Sequence, residues 1–76
     1  MDKLYEILQE IRPELDFRAI DSFASSGYLD SFDIVSLVSE LEDQYDILID
    51  ALDIVPENFD SIEAIAALVE KSGGVL

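Results

Sequence analysis

Leu4, Ile7, Leu8 and Ile11 fall at i, i+3, i+4 and i+7, one face of an amphipathic helix. Pro13 disfavours helix in the residue before it, so the spacing predicts a first helix over about residues 2–12, with Asp2 at the end whose dipole favours a carboxylate. Residues 13–30 hold Pro13, Gly27 and several serines but no sustained period. Leu15, Phe17, Ile20, Phe23, Tyr28 and Leu29 make this stretch too apolar for a free linker, so it is expected to pack across the core as a long loop. A second helix is expected from Ser31 to near Asp46, with Val35, Val38, Leu41 and Tyr45 on one face, Leu37 beside it, and Asp33, Ser36, Glu40 and Asp43 on another.

The pattern then weakens. ILIDALDIV reads in isolation as a short strand, but no second strand exists to pair with it. A turn followed by a short helical piece within residues 50–59, broken around Pro56, fits better. The last helix is expected from about Ser61 to Lys71, with Ile62, Ile65, Ala66, Leu68 and Val69 inward. Asp60 as N-cap with Glu63 three residues later matches a capping-box spacing, and Lys71 and Gly73 suit the other end. These elements predict an all-α protein, a small four-helix bundle of three main helices plus one short one. Residues 1–76 form a single domain whose core is Leu4, Ile7, Leu8, Ile11, Phe23, Val35, Val38, Leu41, Tyr45, Ile62, Ile65 and Leu68.

Charge changes the picture most. Eighteen acidic residues against four basic ones give a net charge of -14. The charge argues against nucleic acid as a partner and disfavours anionic membrane surfaces, because binding phosphate needs clustered Lys and Arg. An acidic surface instead meets basic patches on other proteins. The absence of Cys and His removes disulfides, thiolates, the commonest metal ligand and every Ser-His pair. The start MDKLYEILQEI is amphipathic and acidic, unlike a signal peptide, and no apolar run nears the roughly 18 residues of a membrane span. A monomeric cytoplasmic protein is the expectation. No calcium loop fits: the best window, Asp46–Glu57, places Leu48 and Ala51 where an oxygen ligand and a glycine belong. No metal site is expected.

What remains is Ser31, in GYLDSFDIVSLVSELEDQYD. The dipeptide Asp-Ser also occurs at Asp21-Ser22 and Asp60-Ser61, so Ser31 must be distinguished from an ordinary helix cap. On spacing alone a cap is one reading. A serine modified by another enzyme is the second, because a helix N-terminus keeps the hydroxyl at the surface and accommodates attached phosphate. Gly27 allowing a close approach, the bracketing Asp30 and Asp33, and the long acidic helix behind separate Ser31 from the other two.

This stretch resembles the attachment site of acyl carrier proteins and related carrier domains, whose pattern is a glycine, a short spacer, Asp-Ser-Leu and an acid-rich apolar helix. Length, acidity and element order extend the resemblance over most of the chain. It implies that Ser31 carries 4'-phosphopantetheine, transferred from coenzyme A by a phosphopantetheinyl transferase. It also implies that the protein is no enzyme but holds acyl or aminoacyl groups as thioesters for a ligase and downstream transferases with basic docking patches. Asp30, Phe32, Asp33, Ser36, Glu40 and Asp43 would form the partner face. Phe32 stands where leucine is usual. Asp-Ser-Phe, Val35 and Phe59 look like D-alanyl carrier proteins of Gram-positive bacteria, which serve lipoteichoic acid, although Asp50 stands where those carry a proline. Fatty-acid, polyketide and peptide pathways stay open beside this subclass. The reading from a different class is an unmodified acidic interaction module docking through its second helix.

Overall fold

The structure, a computed structural model, describes residues 2–76. Three α-helices form: α1 (Asp2–Ile11), α2 (Ser31–Tyr45) and α3 (Ile62–Lys71). No strand occurs among the described residues. The expected short fourth helix is instead two 3-10 turns, Ala51–Asp53 and Pro56–Phe59. The side chain of Asp50 caps the first at Leu52 N, and Pro56, which lacks an N–H, can only begin the second.

The core takes Leu4, Ile7 and Leu8 from α1, Leu37, Val38 and Leu41 from α2, and Ile62, Ile65, Ala66, Leu68 and Val69 from α3. Phe17, Phe23 and Leu29 of the long loop join them, as the apolar content of residues 13–30 requires. Phe17 and Phe23 meet edge to face, with ring centres 5.2 Å apart. Ile47 and Ile49 are buried too, alternating with exposed Leu48 in an extended segment. This explains the strand-like look of ILIDALDIV: one face of that segment packs on the bundle. Phe59, at the end of the second 3-10 turn, is fully buried.

Val35 is a correction. Its spacing predicts a core position, and it is 66% exposed. The inward stripe of α2 is Ile34, Leu37, Val38, Leu41 and Tyr45, and at about 100° per residue Val35 is turned roughly 100° from Ile34 and out of that stripe. Tyr28 is exposed as well, while Ile11 and Tyr45 are half-buried against the core.

Asp60 is the second correction. The N-cap of α3 is Ser61, whose backbone is extended and whose side chain accepts from Ala64 N. Asp60 has helical dihedrals as the close of the preceding 3-10 turn, and its carboxylate is used elsewhere. It accepts from Ala24 N (3.0 Å), Ser25 N (2.7 Å) and Ser25 Oγ (2.5 Å), while its carbonyl accepts from Phe23 N. One residue thus staples the long loop to the start of α3. The Ser25 hydroxyl and amide, followed by the Ala24 amide, hold the Asp60 carboxyl below the usual carboxylate range.

All four cations are engaged within the chain. Lys3 donates to the carbonyl of Gln44 and lies over the Tyr45 ring, Arg18 pairs with Asp2 over Tyr5, and Lys71 pairs with Asp53. Arg12 joins α1 to the start of α2. The Lys3 and Arg12 contacts lie at opposite ends of α1, which sets α1 and α2 antiparallel.

Candidate functional site

The site is the N-terminus of α2. Gly27 opens the approach with a φ of +84°, a backbone state that other residues rarely adopt. Nothing lies within 4 Å of where its Cβ would be, so conformation, not the expected close approach, requires glycine there. Leu29 then anchors the chain in the core, and Leu29 N donates to Phe23 O (2.8 Å).

Asp30 follows with extended dihedrals and is the N-cap of α2. Its Oδ1 accepts from Asp33 N (2.9 Å), and Asp33 Oδ2 accepts from Asp30 N (3.2 Å), closing a reciprocal capping box. The reading of Ser31 as cap is therefore corrected. The aspartate one position earlier makes the cap, and Ser31 is the first helical residue, exposed, with its hydroxyl freed from that duty. The Asp33 amide, aided by Arg12, holds the Asp30 carboxyl below the usual carboxylate range.

Ser22 and Ser61 sit differently. Ser61 spends its hydroxyl on Ala64 N. Ser22 lies in the loop with a left-handed φ of +50° and begins no helix. Of the three Asp-Ser pairs, only Asp30-Ser31 combines a helix start with a serine outside the cap.

Next to Ser31 lies an open, apolar cleft of about 230 Å³ lined by Ser31, Phe32 and Val35. Phe32 is 83% exposed. Ser36 and Asp43 are exposed along the same outward side of α2, and Glu40 is half-buried towards α1. Asp33 departs from this group. Its side chain is only 15% exposed; its Oδ2 accepts from Arg12 Nε at 2.8 Å and forms an ion pair with Arg12 Nη2 at 2.8 Å. Of the six residues expected to face partners, the structure sets Asp30, Phe32, Ser36, Glu40 and Asp43 around or below Ser31 and turns Asp33 to Arg12.

Sequence reasoning missed Arg12 and Val35. Arg12 had a signal: it is one of four cations in a strongly acidic chain and stands just before the proline that ends α1. Val35 had one too, since its phase on the helix differs from that of Leu37 and Val38.

An exposed serine on a helix's first turn, with an apolar cleft beside it, suits a hydroxyl bearing a phosphate-linked arm. A helix N-terminus favours an anion such as a phosphate. No curated protein and no solved structure gives a significant match to the chain. A sequence model described as the phosphopantetheine attachment site matches residues 2–69. That family holds 4'-phosphopantetheine covalently on a serine. With all three helices inside or nearly inside the matched span, and an exposed serine heading the second, the chain belongs to the phosphopantetheine attachment-site family of carrier domains.

Proposed function

We propose that Ser31 is the attachment serine and that the protein is a non-catalytic carrier of acyl or aminoacyl groups. The observation that carries this is the division of labour at the helix start: Asp30 caps α2, and Ser31 presents an uncommitted hydroxyl at its first position. When bound, the arm supplies a terminal thiol that holds cargo as a thioester, in a chain that has no cysteine. The chain's own residues present the hydroxyl, offer Phe32 and Val35 as an apolar shelf, and keep the surroundings acidic. Tethering raises the effective concentration of cargo at each partner.

Phe32, Ser36, Glu40 and Asp43 form the docking face, with Asp30 at its rim. Asp33 supports it from behind. Because every lysine and arginine is engaged within the fold, the free charge facing a partner is negative, which favours basic patches on the transferase and ligase. The resemblance around Asp30-Ser31-Phe32 favours a D-alanyl cargo. A cytoplasmic site of action accords with the transferase and coenzyme A on which modification depends.

Incubation with a phosphopantetheinyl transferase, coenzyme A and magnesium, followed by intact-mass measurement, tests the assignment. The wild type is expected to gain one phosphopantetheine and Ser31→Ala none. No gain in the wild type would return the protein to the class of unmodified interaction modules. Loading the modified protein with a D-alanine ligase beside a fatty-acyl ligase tests the cargo.

A further inference from the structure

Among the described residues, Arg12 is the one cation that touches residues 30–33, and it does so at several atoms. Its Nε and Nη2 both reach Asp33 Oδ2 at 2.8 Å, and Nη2 lies 3.5 Å from Asp30 Oδ2. On the other side, its Nη1 pairs with Glu14 Oε2 at 3.2 Å. The backbone beneath is fixed: Arg12 N donates to Leu8 O at 3.0 Å, and Gln9 Nε2 donates to Pro13 O at 2.6 Å. The guanidinium therefore reaches from the fixed end of α1 to the start of α2. The carboxylates of Asp33 and Glu14 both favour its charged form.

The capping box needs such a cation. Its two members are both carboxylates, held against one another in a chain of net charge -14. Asp33 Oδ2 accepts from Asp30 N and from Arg12 Nε, and pairs with Arg12 Nη2. Removing the guanidinium leaves like charges facing each other and takes away the hydrogen bond from Nε and the ion pairs from Nη2. The box then loosens, and with it the dihedrals of Asp30 and Ser31 that aim the hydroxyl.

We infer that Arg12 is a positioning residue for the modification of Ser31: by bridging Asp33 and Asp30 it locks the capping box and fixes where Ser31 Oγ points. The inference rests on Ser31 being the attachment serine. In the reaction, Ser31 Oγ bonds to the β-phosphorus of coenzyme A and the bond from that phosphorus to the bridging oxygen breaks. Adenosine 3',5'-bisphosphate leaves with the electron pair, and the hydroxyl proton passes to a base on the transferase. An in-line attack of this kind is sensitive to the aim of the nucleophile.

The test is steady-state kinetics of the transferase, with the carrier as varied substrate, on wild type, Arg12→Gln, Arg12→Lys, Asp33→Asn and the double variant Arg12→Gln/Asp33→Asn. Circular dichroism at the assay temperature establishes that each is folded. Arg12→Gln is expected to lower kcat about tenfold with KM for the carrier little changed, the signature of an interaction that matters in the transition state. Arg12→Lys, which keeps the charge but lacks the planar fork, should recover part of the loss. The double variant should lose no more than Arg12→Gln alone, because both changes break one contact. Unchanged kcat in Arg12→Gln overturns the inference. So does a loss carried by KM, which would make Arg12 a contact for the transferase, or a loss that disappears on cooling, which would make it only a stabilising residue. Strictly additive losses in the double variant would overturn it too. Modification of Ser31→Ala would instead overturn the attachment assignment itself and leave the capping-box geometry untouched.

Discussion

Replacing Phe32 by alanine separates folding from function. Phe32 is 83% exposed, so about a sixth of its surface is covered in the folded protein. A phenylalanine has roughly 200 Å² to bury, which makes the covered part ~35 Å², and at about 25 cal/mol per Å² this contributes ~0.9 kcal/mol at most. Alanine is the better helix former by ~0.5 kcal/mol, which offsets much of that loss. Phe32→Ala should therefore shift Tm by less than about 5 °C in a domain of this size. Phe59 provides the contrast, since it is fully buried. Phe59→Ala should cost ~3–5 kcal/mol, against a total of only ~4–11 kcal/mol for 76 residues. Function should follow the opposite order. If Phe32 is an aromatic anchor for the transferase, its loss removes at least ~2 kcal/mol of interaction, about 30-fold in kcat/KM. Thermal melting monitored by circular dichroism and transferase kinetics on the same samples give both numbers. A Phe32→Ala protein destabilised by more than about 2 kcal/mol would show that the ring is packed and the exposure argument wrong. A stable variant with wild-type kinetics would remove Phe32 from the docking face.

Three further outcomes are expected. With a net charge of -14, the folded chain repels itself, so Tm should rise with added salt or millimolar magnesium; a melting curve indifferent to both would refute this. On acidification from pH 7, stability should first rise as the net charge shrinks towards the pI of about 4.1. Asp30 and Asp60 have carboxyl groups depressed in the fold, so their stabilisation is present above about pH 4 and lost as pH falls through their lowered values, and stability should drop below that point. A series of denaturant midpoints against pH checks the turn, and a monotonic decline from neutral pH would contradict it. Finally, Glu40→Lys with Asp43→Lys should slow the transferase and ligase while leaving Tm the same or higher, since both carboxylates lack partners among the described side chains and the change reduces the net charge. Intact rates would place the docking surface elsewhere.

The three helices were legible because each carries an apolar stripe of helical period bounded by a proline, an aspartate or a glycine. The packing of the long loop was legible from Phe17, Phe23 and Leu29. Contacts distant in sequence were not. Asp60 reads as a helix cap by spacing, but whether its carboxylate turns to its own helix or to Ser25, 35 positions away, is a tertiary matter. Arg12 and Asp33 stand 21 residues apart, and no local pattern joins them. The alternation of Ile47 and Ile49 suggested a strand because period two marks any extended segment with one buried face, with or without a pairing partner. Val35 reads as inward because it stands three residues before Val38, but the buried stripe of α2 centres on Leu37, Val38 and Leu41, and that phase leaves Val35 outside. At the site, the Asp-Ser pair was visible, but the transfer of the cap from Ser31 to Asp30 depends on backbone dihedrals that the sequence leaves open.

Locating the modification tests the assignment of Ser31 without recourse to any variant. Wild-type protein treated with a phosphopantetheinyl transferase and coenzyme A is digested, and the peptides are fragmented to assign the added group to a residue. Phosphopantetheine is expected on Ser31 and on neither Ser22 nor Ser61, because of these three only Ser31 stands at a helix start with another residue making the cap. Phosphopantetheine on any other serine would contradict the assignment.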